Sequence, residues 1–203
     1  MMKILFLGDS VTDAHHSTSN DPLGCGYVSM VHNNLACIHH SLTVETINSG
    51  FNGHRSKDLL NRVDDLLDKN TFDYIFVLIG VNDSWRKFDH FDETTKEQYE
   101  NNVDKLLNVI KNKSNARVTL LSPFVLAVNE LTQKIQEDLL PKQESFYSLS
   151  KKYNTQFIDL QNVLNNYAKV IPLLELAKDG IHPTILGHSL IATEVVKLIE
   201  SYL

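Results

Sequence analysis

The chain has 203 residues, 42% of them hydrophobic and 22% charged, and 19 Lys and Arg against 25 Asp and Glu leave a formal charge of −6. That balance excludes a disordered polypeptide. The mild acidity argues against a general nucleic-acid binder or a protein that docks on anionic lipid, since both need a basic face.

A chain of this length suits one domain over 1–203. The first apolar run, Ile4-Leu5-Phe6-Leu7, follows Lys3 and closes on Gly8-Asp9-Ser10. It is too short for the apolar region of a signal peptide, and no run approaches the ~20 residues that span a bilayer. With no export signal the expected compartment is the cytoplasm, with Cys25 and Cys37 as free thiols.

Short β-rich runs then alternate with helical periods. Strands are expected at 3–7, 42–48, 73–80, 117–121 and 156–160. The run Tyr74-Ile75-Phe76-Val77-Leu78-Ile79 is almost wholly apolar, as suits a central parallel strand covered on both faces. Gly24-Cys25-Gly26 lacks the strand before it and the third glycine of a dinucleotide loop, and reads as a helix start. Leu59, Leu60, Val63, Leu66 and Leu67 recur at helical spacing, as do Val103, Leu106, Leu107 and Ile110 behind a capping box at Thr94-Thr95-Lys96-Glu97. Leu131, Ile135, Leu139, Phe146 and Leu149 predict a helix broken or bent near Pro141. The segment around 169–178 is ambiguous, and a last helix follows Pro183. The order predicts a three-layer α/β/α sandwich on a five-stranded parallel sheet, flavodoxin-like in shape.

In such folds ligands bind beyond the carboxyl ends of the strands. Gly8-Asp9-Ser10, Asn48-Ser49-Gly50 and Gly80-Val81-Asn82-Asp83 each follow a predicted strand, so they converge on one sheet edge. Ser10 there is either a turn or cap serine or a nucleophile, and a nucleophilic serine needs a base. Among nine histidines, His182 in Asp179-Gly180-Ile181-His182-Pro183 stands out. An acid three residues ahead can take the imidazole Nδ1–H and leave Nε2 free for the serine proton, although Asp179 also suits a plain capping role. Gly50 can offer an unobstructed N–H and Asn82 an amide to a developing oxyanion, with the Ser10 N–H as a third donor. Alternatively, Gly50 serves a positive-φ turn and Asn82-Asp83 a turn pair. His15, His16, His39 and His40 read as solvated residues, His188 as structural, and Asp9 and Asp13 as capping and turn-holding groups. No Gly-x-Ser-x-Gly elbow, Walker lysine loop or His-Glu-x-x-His helix is present, and no histidine pair has zinc spacing.

Taken together, the four segments resemble the blocks of the SGNH hydrolases, the GDSL-type esterases. Gly8-Asp9-Ser10 is similar to the nucleophile block, Gly50 in Asn48-Ser49-Gly50-Phe51-Asn52-Gly53 to the glycine block, Gly80-Val81-Asn82-Asp83 to the asparagine block, and Asp179-Gly180-Ile181-His182 to the acid/base block. They stand in family order across nearly the whole chain. Gly24-Cys25-Gly26-Tyr27-Val28, Ser84-Trp85-Arg86, Ser122-Pro123-Phe124 and His182-Pro183-Thr184-Ile185-Leu186-Gly187-His188 resemble the bacterial branch with intracellular acetylxylan esterases.

The resemblance implies a serine esterase that removes short acyl groups, acetyl above all, from sugars or oligosaccharides. Ser10 would be nucleophile, His182 base and Asp179 its orienting acid. Ser10, Gly50 and Asn82 would form the oxyanion hole, and no metal or organic cofactor is implied. Trp85 and Arg86 would line the substrate cleft, unless they pack on a neighbouring helix or another subunit. The implied partner is a small ester, with neither nucleic acid nor membrane, and a homo-oligomer is a family-level expectation. Two alternatives stand beside this reading. One is an acyl-CoA thioesterase or lysophospholipase with the same catalytic residues; the other is a non-catalytic α/β binding module.

Overall fold

The computed structural model describes residues 1–203. The order of elements is β1 (Met2–Gly8), α1 (Ser10–Asp13), α2 (Tyr27–Ile38), β2 (Val44–Gly50), α3 (Ser56–Lys69), β3 (Tyr74–Leu78), α4 (Val81–Asp89), α5 (Lys96–Lys113), β4 (Arg117–Leu121), α6 (Glu130–Tyr153), β5 (Gln156–Ile158), α7 (Leu160–Tyr167), α8 (Leu173–Leu176) and α9 (Ile185–Glu200). The five strands form one parallel sheet in the order β2-β1-β3-β4-β5.

Strand side chains alternate between two cores, as the period of two requires. Met2, Ile4, Phe6, Tyr74, Phe76 and Leu78 pack with α2, α7 and α9 on one face. Leu5, Leu7, Ile75, Val77, Ile79 and Leu120 pack with α3, α5 and α6 on the other. Layering of this kind makes the expected α/β/α sandwich. Val81, Val125, Ile135, Leu139 and Ile181 form a smaller cluster beyond the strand ends, joining α4 and α6 to the loop before α9.

The chain runs from β1 to β2 on one side and from β3 to β4 on the other. Loops after β1 and β3 therefore diverge to opposite faces and leave a crevice at their carboxyl ends. Ser10 and Asn82 sit in the first turns of the helices that leave this crevice.

Several boundaries differ from expectation, each for a local reason. Strand β2 runs two residues further than predicted, because Gly50 continues the ladder opposite Gly8. At 156–160 the strand stops at Ile158, since the Asp159 side chain accepts the Asn162 N–H and starts α7. The capping box of α5 lies one residue later than predicted: Thr95 Oγ1 accepts the Gln98 N–H at 3.2 Å, and Gln98 Oε1 accepts the Thr95 N–H at 2.9 Å. Helix α6 is not broken at Pro141 but runs through it for 24 residues. Its flanking turns hold it in register, with Ile135 and Leu139 in one cluster and Phe146 and Leu149 in another. The ambiguous segment holds the one-turn α8, and Gly26 is the N-cap of α2.

Candidate active site

Gly8 closes β1 because nothing larger fits: a Cβ there would lie 2.0 Å from Thr12 Oγ1 and 2.8 Å from the Leu78 carbonyl oxygen. Asp9 then caps the one-turn α1, with Oδ1 accepting the Val11 N–H at 3.0 Å. Burial pushes the Asp9 carboxyl up to about 7; the Val11 N–H pulls the other way and the nearby Asp83 charge adds to the rise. Ser10 is thereby placed at the first position of a helix, where backbone N–H groups lack intrahelical partners.

Asp179 and His182 lie in the turn between α8 and α9, which is closed by an antiparallel bridge between Ala177 and Pro183. Gly180 sits at φ +81° with the Leu126 carbonyl oxygen 2.3 Å from where a Cβ would stand, so the turn requires glycine. Asp179 divides its two oxygens. Oδ1 accepts the backbone N–H groups of Ile181 at 2.9 Å and His182 at 2.8 Å, while Oδ2 lies 2.6 Å from His182 Nδ1. Burial alone would raise this carboxyl, but the bonds from the His182 ring and the two backbone N–H groups together hold it below its ordinary value. A carboxylate facing Nδ1 leaves Nε2 as the acceptor nitrogen. Nε2 lies 2.9 Å from Ser10 Oγ, across 172 positions of sequence.

The other strand ends complete the crevice. Gly50 is not a positive-φ residue; it is glycine because a Cβ would lie 2.2 Å from the Asp13 nitrogen of α1. Its N–H donates to Asn48 Oδ1 at 2.9 Å, so this donor is already engaged inside the protein. Asn48 Nδ2 in turn donates to the Thr12 and Leu23 carbonyls at 2.8 and 2.9 Å, tying the end of β2 to the segment around Ser10.

Asn82 follows Gly80, whose φ of +140° turns the chain from β3 into α4. Its Nδ2 donates to the His54 carbonyl at 3.1 Å, and its Oδ1 accepts from Arg86 Nη2 at 3.0 Å. Only an oxygen can accept from a guanidinium, so Arg86 settles which way the Asn82 amide faces. Asp83 next to it points inward to Ser56, whose N–H and hydroxyl donate at 2.9 and 2.6 Å. Burial nevertheless pushes that carboxyl up to about 6.

Trp85 is half-buried on the small apolar cluster, with its ring centroid 6.0 Å from that of His182. Arg86 lies over the Trp85 ring at 4.9 Å and also pairs with Asp89. Both residues thus stand beside the crevice, Arg86 with its guanidinium turned to protein groups. Ser10 and His182 open onto a pocket of about 380 Å³ that Cys25, Asn52, Ile185 and His188 also line.

Asp13 holds a turn as expected, accepting the Ser17 N–H and hydroxyl at 2.9 and 3.0 Å. His16 is not solvated: its Nε2 meets the Gly50 carbonyl at 2.8 Å and its ring stands edge-on to Phe51. Sequence reasoning also missed Asn48 as an organiser and His188 as a lining residue. Asn48 carried a signal, since it lies two positions before Gly50 on the same face of β2. No group of three His, Cys, Asp or Glu side chains converges to hold a metal ion, and no helix is long and apolar enough to cross a membrane.

Comparisons with known proteins agree with this architecture. An acetylxylan esterase of Geobacillus stearothermophilus is 28% identical over 94% of this chain and 90% of its own. The crystal structure of a GDSL-like protein from Parabacteroides merdae superposes with a TM-score of 0.89 at 31% identity, covering 97% of this chain and 96% of that one. The structure of Axe2, an acetylxylan esterase from Geobacillus stearothermophilus, superposes with a TM-score of 0.84 at 25% identity, over 97% and 93% of the two chains. The model of the GDSL-like lipase/acylhydrolase family matches residues 6–190. The chain therefore belongs to that family and is a carboxylic ester hydrolase.

Proposed function

We propose that the protein is a serine esterase acting on short-chain, chiefly acetyl, esters of sugars or oligosaccharides. The observation that carries this reading is the continuous relay Ser10 Oγ–His182 Nε2 at 2.9 Å and His182 Nδ1–Asp179 Oδ2 at 2.6 Å. His182 withdraws the Ser10 proton as Oγ attacks the ester carbonyl, and the carbonyl oxygen takes the negative charge. Two donors are free to meet that charge, the Ser10 N–H and the second N–H of Asn82 Nδ2. The Gly50 N–H, engaged by Asn48 Oδ1, would join them only by sharing or giving up that bond. His182 then gives its proton to the leaving alcohol. Water, deprotonated by His182 in turn, releases the acid from Ser10.

Support for the acetyl substrate comes from the acetylxylan esterase relative, while the pocket at Ser10 has Asn52 and His188 in its lining. Ile185, 75% exposed near His182, offers apolar surface that would favour longer acyl chains, as in a thioesterase or lysophospholipase. A chain-length series of 4-nitrophenyl esters decides between them, with acetate expected to be the best substrate and octanoate the result that favours the alternative. Ser10→Ala is expected to abolish burst-phase acyl-enzyme and to leave only the small residual rate that donors and binding supply. Full activity in that variant would end the proposal.

A further inference from the structure

Helix α9 places His188 against the pocket at Ser10, and the contacts of its ring determine what it presents there. The residue is only 9% exposed. Its Nδ1 accepts the Tyr27 backbone N–H at 3.2 Å, at the start of α2 where that donor has no helical partner. The ring lies nearly parallel to Tyr27, 16° between planes at 6.3 Å, and a Cβ on Gly26 would come within 2.9 Å of its Cε1. The imidazole is therefore held in one orientation by three groups.

An imidazole that accepts at Nδ1 carries its proton at Nε2. No protein acceptor takes that proton, and no sealed side-chain nitrogen or oxygen in the molecule lacks a partner, so Nε2 is open to the pocket. Burial, reinforced by the His182 ring, pushes the pKa of His188 down to about 4, which keeps it uncharged at neutral pH. At about 380 Å³ the pocket is of the size that holds whole small-molecule ligands, well beyond a two-carbon acyl group.

We propose that His188 Nε2–H donates to a hydroxyl or ring oxygen on the alcohol half of the ester, making this pocket a subsite for hydroxylated leaving groups. The inference rests on the serine-esterase reading of the same site. A neutral, pre-oriented donor suits an uncharged sugar or polyol: it offers a hydrogen bond without the hydration that a cation would have to shed, and an ester lacking that oxygen leaves the donor unpaired.

The test compares kcat/KM for glyceryl monoacetate and mono-O-acetyl xylotriose with kcat/KM for 4-nitrophenyl acetate, whose alcohol half offers no hydroxyl. His188→Phe should lower the ratio of hydroxylated to nitrophenyl ester about tenfold. His188→Gln, which can accept from Tyr27 and still donate, should keep the ratio within about threefold of wild type. A ratio that does not move in His188→Phe, or falls equally in both variants, overturns the inference and leaves the esterase reading intact. Absence of hydrolysis of every ester by the wild type overturns the esterase reading itself. Should His188→Phe fail to fold, the Ser10→Ala protein titrated with xylotriose gives a second readout by imidazole nitrogen NMR. The Nε2 signal of His188 should shift while Nδ1 stays with Tyr27, and an unmoved Nε2 signal at saturating xylotriose overturns the inference.

Discussion

Arg86 and Asn82 show how one contact changes the meaning of a residue. A cation beside a cleft invites the reading that it meets substrate, yet its guanidinium donates to Asn82 Oδ1 and pairs with Asp89. With the Asn82 oxygen turned to Arg86 and one N–H given to His54, a single N–H of the amide remains uncommitted. On the proposed oxyanion role of Asn82, Asn82→Ala should cost about 10²–10³ in kcat, the usual loss for one such donor. Arg86→Ala should lower kcat by a smaller factor, and the double variant should be no slower than Asn82→Ala alone. Steady-state kinetics on 4-nitrophenyl acetate checks this cycle; additive losses would mean that Arg86 acts on substrate independently. The four motifs were legible in sequence because each is a short local segment, three at the ends of strands and the fourth in the turn before α9. Which donors are free, and which are spent on neighbours such as Asn48, depends on side chains far apart in the chain.

At the level of elements, periodicity located every strand and the main helices, since two cores impose alternation on the strands and three-to-four spacing on the helices. It failed where one residue acts against its context. Pro141 reads as a point where the helix breaks or bends, and α6 continues through it because apolar contacts on both sides hold its flanking turns. The helix still lacks the N–H that would reach the Glu137 carbonyl. Pro141→Ala should restore that bond and raise Tm, by ~2–4 °C for each kcal/mol gained. Its gain is limited by the added freedom of the unfolded chain. Thermal unfolding followed by circular dichroism checks the direction, and a lowered Tm would show that the proline ring packs better than it bonds. The span of β2 was misplaced by two residues for a similar reason. Glycine ordinarily ends a strand, but Gly50 pairs with Gly8 because α1 crosses too closely for any side chain.

Across the whole molecule, the two buried carboxyls under the crevice set how stability responds to pH. Asp9 is raised to about 7 and Asp83 to about 6, both chiefly by burial. A raised folded-state value means that the native state binds these protons more tightly than the unfolded chain. Their contribution is thus fully present below pH ~4, the unfolded carboxyl value, and is lost as pH rises through about 6 to 7. Asp179 acts in the opposite sense: held low, it adds stability above pH ~4 that disappears in stronger acid. Asp9→Asn keeps an oxygen for the Val11 N–H and removes the buried charge. It should raise Tm by a few degrees at pH 8, with the difference closing by pH 4. An equal difference at both pH values would place the effect elsewhere. The pairing of Ser10 with His182 has a consequence of another kind. On the proposed mechanism, nucleophile and base come from opposite ends of the polypeptide, so a nascent chain emerging from the ribosome would stay chemically silent until the segment before α9 has been made and docked. Two separately expressed pieces, cut in an exposed loop between them, would each be inert and would gain hydrolytic power only on reassembly.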